Sequence, residues 1–151
     1  MNLRRNLKKG ETIFAQGSPS DCAFIIGSGS IEIIENTFEG PKVIGQLTEN
    51  EIFGEMGLID GQPRSAAARA LEDSVVFVMT QSSFDNLSRK NPEALLPILK
   101  VVTSRLRETM NFLKLGVRYP SGQKQRISKR PVNGKLPLLK SMEPHHEYKK
   151  L

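Results

Sequence analysis

The residues best suited to chemistry lie in one short stretch, FGEMGLIDGQPRSAAARA, from Phe53 to Ala70. Glu55 and Arg64 bracket a run of small and apolar residues, with Gly54, Ser65 and Ala66 beside them. Arginine presents a planar fork of donors that matches a phosphate through paired, charge-assisted hydrogen bonds. Small residues next to it let backbone N–H groups approach the same anion. Glycines and a proline interrupt any continuous helix or strand, so the stretch reads as a loop. Glu55 is the anomaly, because a carboxylate repels a phosphate unless it serves a different group. The same residues also suit an exposed turn with a solvated ion pair, and the loop alone leaves both readings open. The only histidines, His145 and His146, stand near the far end of the chain. A strand-borne metal centre or an activated nucleophile is therefore not expected, and the chain reads as a binding protein rather than an enzyme.

Short strands must hold this loop. TIFA, CAFIIG, SIEIIE, KVIGQL and SVVFVM are runs rich in Ile, Val and Phe, separated by turn signals such as QGSPSD and GSGS. With no helical pattern between them, they predict an antiparallel sandwich or jelly-roll barrel. After Thr80 the pattern changes. QSSFDNLSRKN predicts a short helix with Ser82 or Ser83 as its cap. Asn91-Pro92 opens a longer helix, with Pro97 still near its start. Along it Leu95, Leu99, Val102, Leu106, Thr109 and Leu113 recur at alternating spacings of four and three. Such a seam could lie on the barrel or pair with a second copy. Thr109, its polar member, reads by itself as a threonine bonded to its own helix backbone. The expected fold class is mainly β with C-terminal helices.

The chain of 151 residues carries a net charge of +6, unevenly spread. Residues 1–115 hold 13 Lys and Arg against 14 Asp and Glu, whereas residues 116–151 hold 9 against 2. We therefore expect one folded domain over 1–115 and a basic, disordered tail over 116–151, where four prolines interrupt a sequence without hydrophobic period. Such a tail suits nucleic acid, acidic lipid or a protein partner, or simply solubility. The single cysteine, Cys22, excludes an internal disulfide. No apolar run is long enough to span a bilayer and the charged opening lacks a signal-peptide pattern, so a reducing cytoplasm is expected.

Taken together, GETIFAQGSPSDCAFIIGSGSIEI and FGEMGLIDGQPRSAA resemble the opening strands and the phosphate-binding cassette of the cyclic nucleotide-binding domain family. The similarity runs from about Lys9 to Leu115. It implies a ligand, cAMP first and cGMP second, with no further cofactor. It also implies that Arg64 meets the cyclic phosphate together with backbone N–H groups of Ser65, Ala66 and a short helical turn after Gly54 that includes Met56. By the same resemblance Glu55 accepts the ribose 2′-hydroxyl, Ile33 and Ile44 line the base pocket, and Thr109 meets the adenine edge. Ser65 leaves the base open, since its hydroxyl can serve either phosphate or a guanine amino group. Two positions depart from the family pattern: Asn50 replaces a common turn glycine, and Ala68 a β-branched residue. No winged-helix pattern follows. The expected protein is a stand-alone sensor that moves the 92–115 helix as a lid or as a homodimer seam and signals through a partner protein. The alternative is a nucleic-acid-binding regulator working through the basic tail.

Overall fold

A computed structural model describes residues 3–118 of the chain. Its strands are β1 (Leu3–Leu7), β2 (Thr12–Phe14), β3 (Cys22–Ser28), β4 (Ile31–Thr37), β5 (Gly40–Leu47), β6 (Ile52–Phe53), β7 (Ala67–Ala70) and β8 (Ser74–Thr80). They form two four-stranded antiparallel sheets, ordered β1-β8-β3-β6 and β2-β7-β4-β5. A short helix α1 (Met56–Asp60) separates β6 from β7. Helix α2 (Gln81–Lys90), a 3-10 turn at Pro92–Leu95 and the long helix α3 (Leu96–Arg118) follow the last strand. This is the mainly β architecture with C-terminal helices that the sequence predicts.

Strand β3 explains how the layers assemble. Alternate side chains of a strand point to opposite faces. Phe24 and Ile26 pack with Leu7, Ile31, Leu47, Phe53 and Val76 in one core, lined by both sheets. Ala23 and Ile25 pack with Ile52, Leu58, Met79, Ile98 and Val101, which joins the helices to the sheet. Both faces are buried, so CAFIIG reads as a continuous apolar run instead of an alternating one. Each large side chain buried in this way contributes about 1.5–3 kcal/mol.

Several local expectations are corrected. β1 (LRRNL) and β7 (AARA) carry little strand signal in their residue types, yet antiparallel pairing holds them: β1 against β8, β7 between β2 and β4. Helix α2 is capped by Thr80, whose Oγ1 accepts the Ser83 N–H at 3.2 Å, and not by Ser82 or Ser83. The expected helix start at Pro92 is the 3-10 turn. The expected seam of α3 divides between two faces. Leu95, Ile98, Val101 and Val102 pack on the sheet, whereas Leu99, Leu106 and Leu113 are exposed in a row with Leu96 and Met110. At 3.6 residues per turn, alternating steps of four and three do not by themselves say which side meets the sheet. Asn50 takes the turn conformation expected of it, with φ of 68°. The tail expected to be disordered lies outside the described residues beyond 118, as do His145 and His146. No described helix is long and apolar enough to cross a membrane.

Candidate functional site

Arg64 stands at the entry to β7, fixed by its own backbone. Its N–H donates to Ser18 O at 2.9 Å, and its carbonyl accepts the Gly17 N–H at 2.8 Å. The side chain is only 6% exposed. Its guanidinium lies 4.1 Å above the Phe14 ring, and Phe14, Phe24 and Phe53 pack on one another with centroids 5.2–6.0 Å apart. The aromatic face attracts the cation without neutralising it. Nη1 donates to Gly54 O at 2.8 Å and Nη2 contacts Cys22 Sγ at 3.5 Å. Burial, reinforced by the Asp21 carboxylate, pushes the Cys22 thiol up, so it is a neutral neighbour and not a thiolate counter-ion. No carboxylate pairs with Arg64 among the described residues, and its buried Nε has no hydrogen-bond partner. A guanidinium buried in this way calls for an anion.

Gly54 is required here for two reasons. Its φ is +73°, and a Cβ would come within 2.6 Å of Arg64 Nη1. The space beside this glycine is thus filled by the arginine.

Glu55, 3% exposed, meets a residue that sequence reasoning missed. Arg105 Nη1 on α3 donates to Glu55 Oε1 at 2.5 Å, and its Nη2 donates to Ile52 O at 2.5 Å. One arginine therefore ties the loop and the end of β6 to the long helix. The signal was available: Ile98, Val101, Val102 and Arg105 are one helical face, and Arg105 is its charged member. A carboxylate offers about four acceptor positions, so holding Arg105 leaves Glu55 able to accept from a hydroxyl as well.

These groups line one cavity of about 330 Å³. All the residues anticipated for the site border it: Gly54, Glu55, Met56, Arg64, Ser65 and Ala66 from the loop, Ile33 and Ile44 from β4 and β5, and Thr109 from α3. Ile44 and Met56 expose much of their apolar surface at its edge. Thr109 Oγ1 donates to Arg105 O at 2.9 Å, the backbone bond that the residue type alone suggested. Ser65 Oγ lies 3.7 Å from Met56 Sδ. Phe14, Ser20, Gly57, Arg105 and Glu108 also border the cavity without having been anticipated.

A short strand–loop–helix segment holding an unpaired buried arginine is distinctive enough to compare with known proteins. The family model described as "Cyclic nucleotide-binding domain" matches residues 4–91. The chain belongs to this family. The cyclic AMP receptor protein of Thermus thermophilus is 30% identical over 106 residues, covering 70% of this chain and 49% of that protein. The crystal structure of the Thermus thermophilus catabolite activator protein superposes with a TM-score of 0.71 at 30% identity, over 76% of this chain and 54% of that one. The cAMP-bound form of the EAL enzyme Bd1971 matches with a TM-score of 0.56 at 35% identity, over 75% of this chain and 31% of that one. The chain spans about half the length of the receptor protein it matches. Members of the family thus include regulators and enzymes that carry the domain as one part.

Proposed function

We propose that the cavity binds a cyclic mononucleotide, cAMP in the first place and cGMP as the second ligand, without hydrolysing it. The observation that carries this reading is Arg64: a buried guanidinium beside a cavity, stacked on aromatic rings and paired with no carboxylate among the described residues. A cyclic phosphodiester supplies the missing single negative charge. In this reading Met56, Ser65 and Ala66, which line the cavity, add backbone N–H donors, and Glu55 accepts the ribose 2′-hydroxyl while keeping Arg105. The apolar surface of Ile33 and Ile44 covers the base, with Thr109 at its edge. A cavity of this size matches small-molecule sites in general. Both ligands are kept because the similar EAL enzyme occurs in cAMP-bound and cGMP-bound forms.

Binding is read out through α3, which Arg105 joins to the loop, and passed to a partner. The test is calorimetric titration of cAMP and cGMP into the protein and into Arg64→Ala. Removing an ionic hydrogen-bond partner of a desolvated phosphate costs about 2–5 kcal/mol, so affinity falls roughly 30-fold or more. An unchanged dissociation constant in the variant removes Arg64 from the role, and no binding to the unaltered protein removes the reading itself.

A further inference from the structure

A second buried donor borders the same cavity, on an element outside the loop. Ser20 lies on the turn between β2 and β3 and lines the cavity. Its Oγ is shielded from solvent and has no hydrogen-bond partner among the described residues. A hydroxyl in that state has lost its water without gaining a replacement, which is unfavourable and uncommon in native structures.

The position of Ser20 is not accidental to the site. The Gly17 N–H to Arg64 O and Arg64 N–H to Ser18 O bonds clamp this turn to the strand entry that carries Arg64. On its other side the serine abuts the start of α1: a Cβ on Gly57 would fall 1.9 Å from Ser20 Oγ and 2.8 Å from the Gln62 carbonyl oxygen. Glycine at 57 is what lets the hydroxyl sit there. Ser20 and Arg64, each holding a buried donor without a partner, therefore line one cavity from elements bonded to each other.

Resting on the cyclic nucleotide reading, we infer that Ser20 is a further phosphate ligand, its hydroxyl donating to one of the two non-bridging oxygens of the phosphodiester. A phosphodiester has two such oxygens and a strong appetite for donors, and the turn that carries Ser20 is bonded to the backbone of Arg64, the residue read as meeting that phosphate. Rotation about a single χ1 torsion carries Oγ from the Gly57 side towards the cavity, between staggered wells. The bond satisfies in the bound state a hydroxyl that is unsatisfied in the free one, so the serine gives up no other bond to make it.

The experiment is titration of cAMP, and of its Rp and Sp phosphorothioate diastereomers, into the full chain and into Ser20→Ala. In each diastereomer sulfur, a weak acceptor, replaces a different non-bridging oxygen. We expect Ser20→Ala to weaken cAMP roughly 10-fold, in the range of a hydrogen bond to a charged group. The loss should nearly vanish for the diastereomer whose sulfur stands at the serine's oxygen and persist for the other. Thermal unfolding of the variant, expected to be unchanged or slightly raised, confirms that the fold is intact. If cAMP binds and Ser20→Ala binds it equally well, the assignment is overturned while the cyclic nucleotide reading stands. Equal losses for both diastereomers also overturn it, because the contact then does not depend on a phosphate oxygen. If neither cAMP nor cGMP binds the unaltered protein, both readings fall.

Discussion

At the scale of single residues, one observed and one proposed contact share the carboxylate of Glu55. It holds Arg105 through Oε1 at 2.5 Å, and in the proposed complex it also reads the ribose. The two roles separate experimentally. Glu55→Ala should weaken cAMP about 10-fold or more, and should weaken 2′-deoxy-cAMP clearly less, since only cAMP loses a hydroxyl contact. Arg105→Ala, which spares the carboxylate, should reduce affinity for both ligands by similar factors. Paired titrations with the two nucleotides check this. Equal losses for both nucleotides in Glu55→Ala would leave the carboxylate as an anchor for Arg105 alone. The anomaly of a carboxylate in an anion site was visible in the residues, but its partner was not. Glu55 and Arg105 are fifty residues apart, and only the docking of α3 brings them together.

At the scale of elements, α3 meets the cavity around its middle. Ile98 and Val101 bury the first half against β3 and β6, whereas Leu106, Met110 and Leu113 are exposed. Arg105, Glu108 and Thr109 lie at the transition and border the cavity. A ligand shifts a conformational equilibrium only through contacts that differ between states, and these three residues are where such contacts can form. Amide hydrogen exchange should therefore slow on adding cAMP in residues 54–66 and in α3 from about Val102 onwards, with little change around Ile98. Protection confined to the loop would make α3 a static support. The existence of this helix was legible from its repeat and from Asn91-Pro92. Its orientation was not, because a helix with apolar residues on most of two faces can dock either one.

At the scale of the whole molecule, the exposed row of Leu96, Leu99, Leu106, Met110 and Leu113 is left without a partner inside the described chain. With Thr103 in the gap, its spacing alternates three and four, the repeat that two helices use to interdigitate. In the proposed sensor a second copy of the chain covers this row, giving a homodimer joined along α3. Sedimentation equilibrium should show a dimer that Leu106→Glu converts to monomer, since a charge placed on the seam must be desolvated to pair. The substitution should leave the melting temperature nearly unchanged at low concentration, because Leu106 is exposed in the single chain. A monomer at all concentrations, with and without cAMP, would remove the seam from the mechanism.

Composition and pattern determined the class of this protein. Alternating and continuous apolar runs set strands, because burial of one or both sheet faces dictates which residue types succeed. Gly54, Glu55, Arg64, Ser65 and Ala66 sit close enough in sequence for one loop to be read from the residues alone, and all five border the cavity. Tertiary structure decided what depends on distant segments meeting. It placed Phe14 under Arg64, Arg105 on Glu55 and Ser20 against Gly57. It also made strands of LRRNL and AARA, whose weak intrinsic preference is overridden by ladders to β8, β2 and β4. Contacts of this kind leave no periodicity in the chain, because each needs two segments to arrive at the same place before either residue gains anything from the other.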